Sequence, residues 1–465
     1  MNRYESYKEV NLPWLKEVPS HWEIIPISHV FEERRERNNN GNNQFILSVM
    51  KNIGVIPYTD KGNVGNKASE NIENYKVVYP NDLVLNSMNM MIGSLGKSNY
   101  KGVLSQVYYV LKLMNSSKYN IDYLNYLFKN KVFHESFRVL GKGILDHRLR
   151  VPIQLLKYEK IIIPPINEQE QIANYLDWKI NEIDRLIQIE KGRIDLLKKV
   201  KKITITDNIT GRTLKNSKLL DSKYDWIGYI PKDFKIVRLK KLTSQIVDGT
   251  HNTPTYIENG IPFLRVTDIS NLNYKEKIDL KRVAQISEKE HNELIKRCKP
   301  EKGDVLISKN GTIGIPIVVD WDWEFSIFVS LCLLKVNDNV IPYWIYFYFL
   351  SELVNMEIAY GGKKGTIVNL HLEKISNFKV PLPNLKTQKI IIEKIIKKIE
   401  IIDKAIKNIQ SQIENLKLLK QSLISEVVTG KIDVRNVVIP EYEKATLLDD
   451  ETEEFDEMEG IEDGN

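Results

Sequence analysis

"MIGSLGKS", residues 91–98, ends in Gly96-Lys97-Ser98, the order in which a phosphate-cradling loop closes, but Met91 stands where such a loop needs its leading glycine. Without that glycine the backbone cannot turn its N–H groups tightly around a phosphate, so no nucleotide hydrolysis is expected. "GDVLISK" sets Asp304 and Lys309 on one predicted strand, as part of a nuclease centre would. No second carboxylate stands beside the lysine, and two-metal phosphodiester chemistry needs that group; a strand ending in a substrate-facing turn accounts for these residues better. The histidines (21, 29, 134, 147, 251, 291 and 371) include no pair at HxH or HxxxH spacing, so no metal pair is expected. His147, His251 and His371 lie in basic loops and suit hydrogen bonding, locally or to phosphate. No Asn/Asp-Pro-Pro-aromatic tetrapeptide occurs, and no glycine-rich loop follows a strand as an S-adenosylmethionine site requires. Cys298 and Cys332 sit in unrelated contexts and read as ordinary buried thiols. With no recognisable catalytic centre, the chemistry to look for is binding.

Charge points to the binding partner. The chain has a net charge of +6, but residues 441–465 hold 12 carboxylates and one lysine, a net of −11. Residues 1–440 therefore carry 66 basic against 49 acidic side chains, or +17. A body that basic suits a polyanion, nucleic acid ahead of an anionic membrane, although a lysine-rich composition spread over the whole surface would give the same sum. The acidic end is too charged to bury a core and is expected to be disordered. No stretch of 18 apolar residues and no signal-peptide core is present, so a cytoplasmic protein without a membrane span is expected.

The elements that must position any binding loops come in duplicate. "PPINEQEQIANYLDWKINEID" (164–184) and "PNLKTQKIIIEKIIKKIEIID" (383–403) align without a gap at an offset of 219. Gln169 matches Gln388 and Asp184 matches Asp403, and Thr210-Gly211-Arg212 meets Thr429-Gly430-Lys431. Apolar residues at 176, 180, 183, 187, 194 and 197, and again at 395, 399, 402, 406, 409, 413 and 416, form a heptad seam. Each helix should run for about 40 residues, roughly 60 Å, and neither can bury its seam alone. Antiparallel packing of one on the other is the economical solution; packing of each on its own domain is the alternative. Upstream, "WLKEVPSHWEIIPI" from Trp14 matches "WIGYIPKDFKIVRL" from Trp226 at an offset of 212. Each half thus reads as an opening strand, a variable block and a long helix.

Within the blocks, "NQFILSV", "YKVVYPNDLVLN" and "SQVYYVLKLM", and then "IPFLRVTDI", "GDVLISK" and "SIFVSLCLLKV", have the β-branched and aromatic character of strands. Each set is followed by an aromatic helix and a Gly-rich basic loop, "GKGILDHRLR" and "GGKKGTIVNLH". The expected fold is α+β: two α/β domains separated by two long helices packed as an antiparallel coiled coil, with an internal pseudo-twofold repeat.

This doubled plan, the P-x-x-EQ-x-x-I helix start and the TGR/TGK exit resemble the DNA-specificity (S) subunit of type I restriction–modification systems. "DGTHNTPTYIENGIPFLRVTDI" (248–269) is similar to a stretch that recurs in target recognition domains of that family. The second copy departs at Thr387, where the first has Glu168, which weakens a side-chain cap without removing the helix. The resemblance covers all but the acidic end. It implies a first target recognition domain with an N-terminal arm (1–155), a central helical spacer (156–212), a linker (213–225), a second recognition domain (226–374) and a C-terminal spacer (375–431), and leaves an acidic tail (432–465) that is expected to be disordered. It also implies a non-catalytic reader of a bipartite site on double-stranded DNA, with helices that fix the distance between the two domains and dock two methyltransferase (M) subunits. No cofactor would be bound by this chain. S-adenosylmethionine would sit in the methyltransferase subunits, and ATP and Mg in restriction (R) subunits where those are present.

Asn pairs bidentately with adenine, and Arg or Lys with guanine, in the major groove. The candidate contacts are therefore Asn86, Asn89, Lys142, His147, Arg148 and Arg150 in the first domain. In the second they are His251, Asn252, Thr253, Lys309, Asn310, Lys363 and Lys364. For any one lysine a phosphate is the commoner partner. The rival reading is a coiled-coil adaptor that joins proteins without reading DNA; an RNA-binding scaffold is disfavoured because no RNP-type aromatic strand is present.

Overall fold

The computed structural model describes residues 2–62, 67–69, 71–141, 149–215, 217–270, 272, 274, 276–310, 313–360 and 370–444. The chain divides into two units, Met1–Lys191 with Ser411–Asn465, and Gly192–Gln410.

The same frame is built twice. In the first unit Glu23–Pro26 pairs antiparallel with Lys160–Ile163, and Glu23 faces Ile163. In the second unit Lys235–Arg238 pairs with Lys379–Leu382, and the matching Lys235 faces Leu382. Each unit also holds a four-stranded antiparallel sheet. The first runs Phe31–Glu33, Tyr108–Leu113, Leu83–Asn86, Leu95–Lys97, and the second runs Thr243–Asp248, Leu331–Val336, Val305–Ser308, Pro316–Val318. Leu113 opposite Phe31 becomes Val336 opposite Thr243, and Tyr108 opposite Asn86 becomes Leu331 opposite Ser308. The central pairing keeps one register in both copies and so fixes which residues face the core, whereas the outer strand of the second copy gains a bulge between Thr243 and Gln245 that advances its pairing by one residue. In the first sheet that face carries Leu83, Leu85, Tyr109 and Leu111, which pack on the helix Ile121–Lys129 through Leu124, Leu127 and Phe128.

The long helices are Ile166–Ile209 and Leu385–Val428, 44 residues each. The first unit contains the opening half of one and the closing half of the other. There Ile172, Leu176 and Ile183 share a core with Leu423, Ile424, Val427 and Val428. In the second unit Ile205 and Ile209 share one with Ile391, Ile392, Ile395 and Ile399. Low positions on one helix meet high positions on the other, so the packing is antiparallel in each unit, along the expected seam. Two ion pairs repeat the rule. Lys420 Nζ lies 2.8 Å from Asp184 in the first unit, and Lys201 Nζ lies 2.6 Å from Asp403 in the second. Both partners of one pair map onto the partners of the other at the offset of 219.

The shared glutamine is a buried clamp. Gln169 accepts from the N–H of Asn120 at 2.8 Å and donates to the carbonyls of Lys118 (3.1 Å) and Pro164 (2.8 Å). Gln388 does the same with the N–H of Ile341 and the carbonyls of Asn339 and Pro383. Each therefore ties the start of a long helix to the start of the aromatic helix in its block. Glu168 does not cap its own helix. It accepts from Trp22 Nε1 at 3.0 Å and meets His21 at 2.6 Å, while at the second helix Asn384 caps the Thr387 N–H at 2.9 Å. The helix exits need glycine: Gly211 and Gly430 both have φ +73°, the left-handed conformation that ends a helix without a Cβ penalty. Gly430 closes on Pro19 and Trp22, and Gly211 on Pro231 and Phe234.

Two expectations are corrected. "IPFLRVTDI" is a strand only over Ile261–Leu264; Val266–Ile269 is a helical turn, because the Asp268 carboxylate accepts the Arg265 N–H at 2.7 Å. The tail expected to be disordered from 432 is packed as far as Glu443. Val434 is buried, Gln171 donates to the carbonyls of Val434 and Val437, and Asn181 donates to that of Glu443. Apolar Ile432, Val434, Val437 and Ile439 precede the acidic run and carry that docking; residues 445–465 lie outside the described residues. Among the described residues no helix is long and apolar enough to cross a membrane.

Candidate nucleic-acid interface

In the first unit the candidate loop leaves the strand Leu83–Asn86. Asn86 Oδ1 accepts from the N–H groups of Met88 (3.0 Å) and Asn89 (3.3 Å), so this side chain shapes the loop it was expected to read with. Asn89 is half-buried at the start of the 3₁₀ turn Met90–Ile92, which its side chain does not cap. The Val151 N–H donates to Ser87 O at 3.0 Å, and Tyr109 OH donates to Val151 O. These bonds bring Arg150, which is exposed, beside the Asn86–Asn89 loop. Around Glu33 gather Arg35 (3.2 Å), Lys76 (3.6 Å) and Lys157 (4.0 Å). Three cations on one carboxylate leave surplus positive charge. Burial pushes the Lys76 ammonium down, Glu33 raises it, and Arg150 and Arg35 lower it further. Lys142, His147 and Arg148 lie outside the described residues.

In the second unit the strand Thr243–Asp248 runs into the loop that carries His251, Asn252 and Thr253, all exposed. The loop's root is fixed by backbone. Gly249 N–H donates to Leu331 O, Thr250 N–H to Ile327 O, and Val329 N–H to Thr250 O. A Cβ on Gly249 would overlap the Ile327 carbonyl, so only glycine fits there. Lys309 was expected to reach outward. Its side chain is only 6 % exposed and its ammonium sits 2.6 Å from Asp248 Oδ2, so it anchors the loop root and is not offered to a duplex. Arg297 completes the group, with Nη2 at 2.5 Å from Asp248 Oδ1 and Nη1 donating to the carbonyls of Asp248 and Gly249. His251 Nε2 lies 3.3 Å from Asp248 Oδ2. Burial acts to raise the Asp248 pKa, but bonds from Lys309 and Arg297 outweigh it and hold the carboxyl below its ordinary range. Asn310 is half-buried, and its Oδ1 finds no hydrogen-bond partner among the described residues. Lys363 and Lys364 lie outside the described residues.

Sequence reasoning missed Asp248, Arg297, Arg35 and Lys76. Asp248 opens the quoted "DGTHNTP" stretch and could have been found there; Arg297 is 49 residues away with no local signal. At the matching positions in the sheets the first unit has Arg35 for Asp248 and Ser87 for Lys309, so the frame is common and the loop chemistry is not.

The residues set aside as catalytic have structural work. Asp304 turns to the Glu301 N–H (2.8 Å) and Lys335 (3.1 Å), away from Lys309. Its counterpart Asp82 accepts from the Tyr79 N–H (2.9 Å) and pairs with Arg34. Gly96 lets a strand pass, since a Cβ there would lie 2.8 Å from the Gly54 Cα, and Lys97 pairs with Asp122. Burial pushes the Cys298 thiol up to about 12 and the Cys332 thiol higher, which leaves both protonated. No group of metal-ligating side chains occurs among the described residues.

A family model, the type I restriction modification DNA specificity domain, matches residues 19–199 and again 231–415. The chain is 24 % identical to a putative type I restriction enzyme MjaX specificity subunit of Methanocaldococcus jannaschii, over 92 % of this chain and 98 % of that protein. It is 25 % identical to the type I restriction enzyme MjaVIII specificity subunit of the same organism, over 93 % and 98 %. A chain from a solved structure concerned with assembly and conformational transition of a type I R-M system superposes with a TM-score of 0.58. That likeness spans 89 % of this chain and 99 % of the other, at 16 % identity.

Proposed function

Since this chain belongs to the type I restriction–modification DNA-specificity family, we propose that it is the specificity subunit of such a complex, a non-catalytic reader of a two-part site on double-stranded DNA. The observation that carries this reading is the duplicated frame with unlike loops. Strand register, the glutamine clamp and the helix ion pair are the same in both units, while the residues at the loop tips differ. A common scaffold with different loops suits two half-sites of different sequence. In the first unit Arg150, Asn89 and the cations around Glu33 are the proposed contacts; in the second, His251, Asn252 and Thr253. The long helices are proposed to dock methyltransferase subunits, one for each unit. Leu196, Val200 and Ile203 support this, because they stand exposed on one helix face that no internal partner covers among the described residues. S-adenosylmethionine would belong to those subunits, and ATP and Mg to restriction subunits where present; cytoplasmic residence follows from that role.

The test is modular exchange. Replacing residues 22–150 with the corresponding block of a related chain, in the complex with its methyltransferase subunits, should alter one half of the methylated motif. Sequencing of methylated adenines reads the result. A motif altered on both sides, or DNA binding that ignores sequence and salt, would refute the reading.

A further inference from the structure

The second unit holds a charged group that has no counterpart among the described residues of the first and that the function above does not explain. Asp248 is buried at the last position of its strand, yet it bonds two full cations, Lys309 and Arg297, and faces His251. Burying a carboxylate and an ammonium together is costly, and a well-packed apolar pair would give comparable stability. What the polar pair supplies instead is direction. Lys309 is held from behind, because its N–H donates to Ser330 O at 2.9 Å and its carbonyl accepts from Leu370 at 2.8 Å. The lysine therefore fixes Asp248 Oδ2 against the sheet. Arg297 grips the other oxygen and both carbonyls at the loop root, a three-bond arrangement that suits a planar fork. The next residues, 250–253, turn outward, and Thr250 Oγ1 accepts from the Asn252 N–H to shape the turn.

We propose that Asp248 and Arg297 are positioning residues for sequence reading: they preset the loop 249–253 so that its tip meets the bases of one half-site. This rests on the specificity-subunit reading. Arg297 is half-exposed and lies beside the reading loop, so a direct phosphate contact is the competing role, and the two roles predict different outcomes. A positioning residue sets discrimination between sequences. A phosphate contact sets affinity for all sequences alike and contributes about 0.9 to the slope of log K against log salt.

The experiment uses the full chain in complex with its methyltransferase subunits. It compares wild type, Arg297→Gln, Arg297→Lys and the double change Asp248→Asn with Lys309→Met, which avoids stranding a buried ammonium. Methylated-adenine sequencing gives the motif, and binding to duplexes altered in either half-site gives discrimination at two or more salt concentrations. Positioning predicts that Arg297→Gln loses about tenfold discrimination in one half-site. This is the same half that changes when residues 235–382 are exchanged, and the other half and the salt slope should be untouched. Arg297→Lys should behave like Arg297→Gln, because the charge remains and the fork is gone. The double change should relax the same half. Uniform weakening with a smaller salt slope, rescued by lysine, would overturn the proposal, as would unchanged discrimination in Arg297→Gln. A wild-type complex with no two-part motif would instead sink the specificity reading itself, and is distinguishable for that reason.

Discussion

Replacing Gln169 with leucine keeps the side chain's bulk and removes its amide. Three partners then lose a bond, the Asn120 N–H and the carbonyls of Lys118 and Pro164, at 2.8, 3.1 and 2.8 Å. Gln169 is fully buried, so water cannot take its place without opening the helix start. A net contribution of about 1 kcal/mol per bond gives about 3 kcal/mol, with stranded buried groups raising it and the apolar replacement lowering it. That is roughly a 150-fold change in an opening equilibrium. Native-state hydrogen exchange resolves it locally: the Asn120 amide should lose about two orders of magnitude of protection. Amides of the Val305–Leu334 ladder in the second unit should be unaffected. Gln388→Leu should do the same to the Ile341 amide, because its three bonds match at 2.9, 3.1 and 3.0 Å. A loss below about fivefold at either site, or costs differing by more than about 1.5 kcal/mol between the two, would refute the claim that the glutamines are equivalent clamps.

Gly430→Ala should cost about 2–4 kcal/mol, from the left-handed backbone and a Cβ placed 2.5 Å from Pro19 carbons. Gly211→Ala should cost a similar amount against Pro231, and a shift in denaturation midpoint worth under 1 kcal/mol would contradict the packing. Stability should also fall as pH drops. Burial lowers the His134 pKa against the opposing bond to Met91 O, and burial lowers that of His291 against Glu324. The unfolded chain, with imidazoles near their ordinary 6.5, takes up protons that the folded rings refuse. Stability is therefore lost as pH falls through about 6.5 and levels off below the folded values. Urea titrations between pH 5 and 8 should show a shallower slope in His134→Gln and in His291→Gln; an unchanged slope in both would contradict it.

The heptad seam was legible because burial along a helix follows a short period that the sequence displays directly. Asp184 and Lys420 became a readable pair only through the repeat, since 236 residues separate them. The strands were legible as strands, but their shared register was not, because it depends on partners far along the chain. "VTDI" misled because its β-branched residues read as a strand, while one carboxylate three residues on captured the backbone N–H. At the site, exposed polar residues after a strand were found, and those that hold them were not. Lys309 shows why: a lysine at a strand end looks like a free cation until the acid that buries it, 61 residues away, is known.

The two units also differ in how soon each can be completed during synthesis. The second is one continuous stretch, Gly192–Gln410, and all of its chain has been made once residue 410 has emerged. The first must wait for residues 411–443 to supply Leu423, Ile424, Val427 and the docked segment that ends at Glu443. Glu443 stands 252 residues beyond Lys191, about 13–50 s of translation at roughly 5–20 residues per second. Through that interval Ile172, Leu176 and Ile183 have no partner on the second helix, and their apolar edge is open to any other chain in reach. Aggregation during synthesis should therefore concentrate on the earlier-made unit, whereas a nascent chain stalled just past residue 410 should already hold the later one folded.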